Sequence, residues 1–232
     1  MNDKKIPEVT SQGVSQFLSK VAKTPVKNAS AKQGRLIFAM DATASREPTW
    51  AHACHLQGEM FTETDTLGGL SVQLCYYRGF TKFHANPWCD NASALLGQMF
   101  AVRCLGGHTQ ISRVLGHALS AHEQRNIQAI VFVGDAMEEN PDALCQLAGK
   151  LGLLNVPLFL FQEGRDSQTH SIFSQMAQLS GGAYAPFDIN SAHELKQLLS
   201  AVAVFAAGGR QALEDYSQRS GGTIERLTRQ LE

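Results

Sequence analysis

Residues 35–50 read RLIFAMDATASREPTW, and this stretch decides the fold. An apolar run from Leu36 to Met40 stops at Asp41, and two hydroxyls, Thr43 and Ser45, follow at alternate positions. A run with no polar alternation is the mark of a strand buried on both faces, and such strands belong to parallel sheets covered by helices. The strand therefore hands one carboxylate and two hydroxyls to whatever lies beyond its carboxyl end.

Outward from this stretch, short β-rich runs alternate with longer helical patterns. Leu70–Tyr77 reads as a second strand, with a short edge strand near Thr81–Ala85. AIVFVGD (129–135), VPLFLFQEG (156–164) and GGAYAPFD (181–188) read as three more. Between them, helical spacing covers Glu47–Thr64, Asn91–Val102, Ile111–Arg125, a segment entered through Pro141, and Gln168–Leu179. A closing helix over residues 190–209 is expected to stop at Gly208–Gly209. Strands that alternate with helices in this way predict an α/β, doubly wound, mostly parallel sheet with helices on both faces.

Three segments follow: a basic amphipathic stretch (1–33), the α/β domain (34–207) and a polar tail (208–232). In the first, Val14, Phe17, Leu18 and Val21 fall at helical spacing, which suits either packing on the domain or docking to a partner or an anionic surface. No apolar stretch there is long enough for a signal peptide or a membrane span. The 232 residues carry a formal net charge of −1, which gives no general case for nucleic-acid binding. Five scattered cysteines without a CxxC pair suggest neither a disulfide framework nor a zinc ribbon, and reduced thiols in a cytoplasm fit best.

In doubly wound sheets, ligands sit beyond the carboxyl ends of the strands, where the strand order reverses. Were 36–40 and 129–133 neighbours there, Asp41 and Asp135 would meet, and would repel each other unless a cation or a proton intervened. Neither GxGxxG nor GxxxxGK[ST] follows the first strand, so phosphate cradling is not indicated. Hard oxygen donors suit Mg²⁺, Mn²⁺ or Ca²⁺ better than softer metals. A further hydroxyl, Thr109, stands in the glycine-containing loop CLGGHTQIS (104–112) just before a helix.

With these residues in place the chain resembles a von Willebrand factor A domain over roughly residues 34–207. The pattern D-x-[ST]-x-S of that family's metal-ion-dependent adhesion site appears as Asp41, Thr43 and Ser45, its single threonine as Thr109, and its second aspartate as Asp135. Thr43 stands for the commoner serine, Ala136 for a frequent glycine, and the acidic pair Glu138–Glu139 follows. The resemblance implies a Rossmann-like sheet of six strands with one antiparallel edge strand. It also implies that the hydroxyls hold Mg²⁺ or Mn²⁺ directly, the aspartates hold it largely through water, and an Asp or Glu of a partner protein completes the shell. Small intracellular bacterial relatives often work with a ring-forming ATPase of the MoxR or chelatase type. The competing reading is a metal-dependent hydrolase or phosphoryl-transfer enzyme using Asp41 and Asp135, but no nucleophile and base stand together in the same loops.

Other features admit a plainer reading beside the functional one. Thr43 and Ser45 can serve as helix caps, and Glu138 and Glu139 can favour a helix dipole or swing onto the metal. Arg103 and His108 flank the loop, where they either steer an acidic partner or are simply solvated. His52, Cys54 and His55 do not share one helical face, which speaks for packing over a soft-metal site. The aromatic and basic run 75–91 suits an edge hairpin whose alternate rings pack inward, or a platform for single-stranded nucleic acid.

Overall fold

The computed structural model of the chain describes residues 20–21, 33–47, 69–187 and 192–219. Among them run six strands, β1 (Gly34–Asp41), β2 (Leu70–Arg78), β3 (Lys82–Ala85), β4 (Ala129–Gly134), β5 (Leu158–Glu163) and β6 (Tyr184–Phe187). They form one sheet in the order β3-β2-β1-β4-β5-β6, parallel throughout except for the antiparallel edge strand β3. The expected doubly wound α/β fold is what the structure shows, including its single antiparallel edge.

The helices are α1 (Ala92–Phe100), α2 (Ile111–Gln124), α3 (Pro141–Leu153), α4 (Ser167–Ser180) and α5 (Ala192–Arg219). Successive strand residues face opposite sides, so each apolar run feeds two cores at once. Leu36, Phe38 and Met40 join Val131, Val133 and the α5 residues Leu198, Val202 and Phe205 on one face. Ile37 and Ala39 join Phe132, Leu160 and residues of α2, α3 and α4 on the other. Phe132 and Phe173 lock the second core edge to face at 5.7 Å, and Phe159 and Phe205 the first at 5.9 Å.

Helix entries follow local side-chain chemistry. Asn91, Asn140 and Asp166 each accept a hydrogen bond from the backbone N–H three residues on, at 2.8, 3.1 and 2.6 Å. The expected stop at Gly208–Gly209 is what the structure shows: Gly209 takes φ 73°, non-helical, which breaks α5 with a kink, and a second helical stretch follows to Arg219. Ala212 is buried and Tyr216 packs on the first core, which holds the resumed turns against the domain. At the other end, Val21 is helical and buried in that same core. The rest of the expected N-terminal helix, the helix over 47–64 beyond Glu47, and the His52, Cys54 and His55 group lie outside the described residues.

Candidate metal centre

Strand order reverses between β1 and β4, and both deliver a carboxylate there. Asp41 is the last residue of β1, in register with Tyr77 of β2, and Asp135 follows Gly134 at the end of β4. A Cβ on Gly134 would press on the Phe132 ring at 2.9 Å and lie in ordinary contact, 3.6 Å, with the Asp41 Cβ, which shows how near the two strand ends come. Asp41 is 1 % exposed. Burial pushes its carboxyl up to about 6; bonds from Thr43 and the charge of Arg46 hold it down, while Asp135 pushes it further up. The Oδ1 of Asp135 is buried without a hydrogen-bond partner.

The hydroxyls sit directly beyond. The backbone N–H of Thr43 donates to Asp41 Oδ1 at 2.7 Å, which fixes the turn out of the strand. Thr43 occupies the capping position of a short 3₁₀ turn (Ala44–Arg46), yet its side chain makes no capping bond. Instead its Oγ1 lies 3.1 Å from the Oγ of Ser45. The two hydroxyls are thus gathered beside the carboxylate, and Thr43 gives the 3₁₀ turn no side-chain cap.

Thr109 arrives on the loop between α1 and α2. Leu105 N–H donates to the Ala42 carbonyl at 3.1 Å, and the Leu105 carbonyl accepts from Gly79 N–H at 3.1 Å, so the loop is tied to the exits of β1 and β2. Gly107 passes so near Gly79 that a Cβ would meet its carbonyl oxygen at 2.0 Å. Thr109 Oγ1 accepts from the Glu138 N–H at 3.0 Å, and the Thr109 N–H donates to Glu138 Oε2 at 3.0 Å. This reciprocal pair joins the Thr109 loop to the segment that follows Asp135.

The acidic pair therefore does something the sequence does not predict. Asn140, not Glu138 or Glu139, caps α3. Glu139 instead crosses to α2 and accepts from the N–H groups of Ile111 and, at 2.9 Å, Ser112. Its charge also meets the positive end of that helix, whose own Gln110 supplies no side-chain cap. Glu138 stays at the rim, with His108 Nδ1 3.3 Å from its Oε2.

Two further residues were not singled out from the sequence. Tyr77, wholly buried, donates its hydroxyl to Asp41 Oδ2 at 3.2 Å, so both oxygens of Asp41 are held. Arg46 is 1 % exposed and pairs with Glu163 at the end of β5. Its charge acts on Asp135 and Asp41, so it offsets part of their repulsion from below. An arginine directly after the DxTxS pattern was the available signal for this residue. For Tyr77 the signal was its register opposite Asp41.

The residues present fit a hard divalent cation. No group of three or more His, Cys, Asp or Glu side chains converges among the described residues, so neither a thiolate site nor a carboxylate cage is built. The donors are neutral hydroxyls beside the buried Asp41 and the half-buried Asp135, whose Oδ1 is orphaned, and that set suits oxygen-seeking ions. Burial grades outward from a floor at Asp41, Thr43 and Thr109 to an exposed Ser45 and a rim of His108 and Glu138, whose side chains are 65 % and 50 % exposed. The rim of the site is open to solvent.

No protein-family model matches the sequence, and no curated protein matches it. Solved structures do match in shape. An aerotolerance-related membrane protein from Bacteroides fragilis aligns with TM-score 0.56 at 12% identity, covering 73% of this chain and 98% of its own. A von Willebrand factor type A protein from Catenulispora acidiphila aligns with TM-score 0.58 at 14% identity, covering 74% of this chain and 43% of its own. Proximal thread matrix protein 1 of the mussel byssus, solved with a zinc-occupied adhesion-site motif, aligns with TM-score 0.56 at 12% identity over 74% of this chain and 46% of its own. The chain thus spans less than half the length of the last two. At these identities the likeness concerns the fold, and the fold is that of von Willebrand factor A domains.

Proposed function

We propose that this chain is a non-catalytic interaction module that docks an acidic residue of a partner protein on a divalent cation, Mg²⁺ or Mn²⁺. The observation that carries the reading is the buried, unpartnered Oδ1 of Asp135 beside the raised carboxyl of Asp41, with the hydroxyls of Thr43 and Ser45 gathered next to them. Thr43, Ser45 and Thr109 would hold the ion with neutral oxygens, and Asp41 and Asp135 would balance its charge. When bound, such an ion offers an electrophilic point at which an incoming carboxylate gains a charge-assisted contact. Tyr77 and the Thr43 N–H keep Asp41 oriented, and Glu138 and Glu139 tie the Thr109 loop in place. The open rim suits a protein surface rather than a small substrate. A ring-forming ATPase of the MoxR or chelatase type is the partner class the sequence resemblance brings forward.

The test is calorimetric titration of Mg²⁺ and Mn²⁺ into the full chain, into Asp41→Ala, and into Ser45→Ala, whose exposed side chain makes it safe for folding. Saturable one-site binding to the unchanged chain, lost in the first variant and weakened in the second, supports the reading. Failure of the unchanged chain to bind either ion at millimolar concentration, or equal binding by all three, overturns it.

A further inference from the structure

Beside the candidate metal centre, an open cleft of about 690 Å³ runs along the edge strand β3 and is lined by Arg78, Lys82, His84, Arg113 and His117 around the ring of Phe83. No lining residue is acidic. Arg78 and Lys82 stand directly opposite each other in the β2–β3 register, and like charges so placed are destabilising. Arg113 is fixed close by, its Nη1 donating to the Thr81 carbonyl at 2.6 Å. The Arg78 Nε and the His84 Nε2 are buried without hydrogen-bond partners. A cleft so charged gains stability from an anion, because an anion turns the Arg78–Lys82 repulsion into shared attraction.

Through Arg78 the cleft is linked to the candidate metal centre. Arg78 follows Tyr77, which holds Asp41, and its Nη1 donates to the Arg103 carbonyl at 2.8 Å. At the turn between β2 and β3, Phe80 is 70 % exposed and its ring stands 5.2 Å from that of His108, edge to face. Leu105, 45 % exposed, is the first side chain a Cβ on Gly79 would meet. An exposed aromatic and a leucine flanked by cations form an anchor with a charged surround, the anatomy of a protein interface.

We infer that this shoulder is a second contact site, one that takes an extended protein segment in which acidic and apolar residues are interleaved, laid along β3 with its apolar side chains against Phe80 and Leu105. Small-molecule sites enclose most of their ligand, and this open cleft does not, so an extended chain fits it better. Its placement along an antiparallel edge strand suits main-chain pairing with such a segment. The inference takes its partner class, a protein, from the docking reading above, and the experiment separates the two.

The experiment is selection of a random dodecapeptide display library on the full chain in EDTA. Affinities of the enriched peptides are then measured by fluorescence anisotropy with EDTA and with Mg²⁺, for the unchanged chain, Lys82→Glu and Phe80→Ser. Both substituted side chains are exposed, so the variants fold. The inference expects acidic-apolar peptides whose binding in EDTA falls at least tenfold in Lys82→Glu and severalfold in Phe80→Ser. It is overturned by enrichment of basic or uncharged peptides, by no enrichment, by affinities that neither variant changes, or by a uridine oligonucleotide that binds the same residues more tightly than the peptides. If binding needs Mg²⁺ and ignores Lys82, the docking reading stands and this one falls. If binding needs Lys82 and ignores Mg²⁺, this inference stands, and the docking reading is decided separately by the cation titration.

Discussion

The two ends of the central strands β1 and β4 treat their polar groups in opposite ways. At the amino end, Arg35 spends its groups on structure: its N–H donates to Gln128 Oε1 at 2.6 Å, its Nη1 to the Arg125 carbonyl at 2.7 Å, and its guanidinium lies 3.7 Å from the centre of the Trp88 ring. Gln128 N–H returns a bond to the Arg35 carbonyl at 2.9 Å. At the carboxyl end, two carboxylates are brought together with an oxygen of Asp135 left unpaired. One end closes on itself, while the other is kept short of a partner. Such a carboxylate pair costs stability, and that difference between the ends is what the proposed cation site rests on.

Several substitutions break or sharpen that contrast. The largest effect is expected away from both ends, at Phe132→Ala, which opens the stack of Tyr77, Phe132 and Phe173. It should cost about 3–5 kcal/mol in urea denaturation. Asp41→Asn should act in the opposite direction in chelator at pH 8, raising stability by up to about 3 kcal/mol while abolishing cation binding. The sign follows from a carboxyl whose folded value, about 6, exceeds its ordinary 3.8: it costs stability above pH 6, progressively less as pH falls, and nothing below 3.8. A loss of stability in Asp41→Asn would mean that the two ends do not differ as described.

At the amino end, Arg35→Ala should lose about 1–3 kcal/mol through the guanidinium's bond to the Arg125 carbonyl and its contact with Trp88, and leave cation binding unchanged by calorimetry. Gly107→Ala forces the Thr109 loop off Gly79; cation affinity should fall at least tenfold with little loss in melting temperature. The smallest effect concerns the cap of α4, just beyond β5. The bonds from Thr169 hold the Asp166 carboxyl below its ordinary 3.8, so its contribution is present above about pH 4 and disappears as pH falls through the lowered value. Asp166→Ala should therefore cost a few tenths to about 1 kcal/mol at pH 7, and less at pH 2.5, in matched urea titrations.

Much of this organisation is legible in the sequence because parallel strands buried on both faces give unbroken apolar runs, and each run ends where its chemistry begins. Asp41 and Asp135 stand out for that reason, as do Thr43 and Ser45. What is not legible depends on contacts between distant segments. Glu139 caps a helix that begins 28 residues earlier, and no local pattern links them. Arg46 reads as a surface residue, since arginines seldom bury, until Glu163 arrives from β5 to pair with it. Gly208–Gly209 reads as a helix end, and Gly209 does break the helix; the turns beyond it are held against the domain by burial of Ala212, a packing contact that no local pattern announces.

The central claim is that the carboxyl end of β1 and β4 holds a divalent ion. It is tested most directly by adding substoichiometric Mn²⁺ to the isotopically labelled chain and mapping the paramagnetic loss of backbone amide signals. The account predicts selective loss around residues 41–46, 107–110 and 134–138, reversed by excess Mg²⁺, with the amides around Arg35 and Gln128 unaffected. Uniform broadening, or loss centred on other acidic surfaces and unchanged in Asp41→Ala, would contradict it.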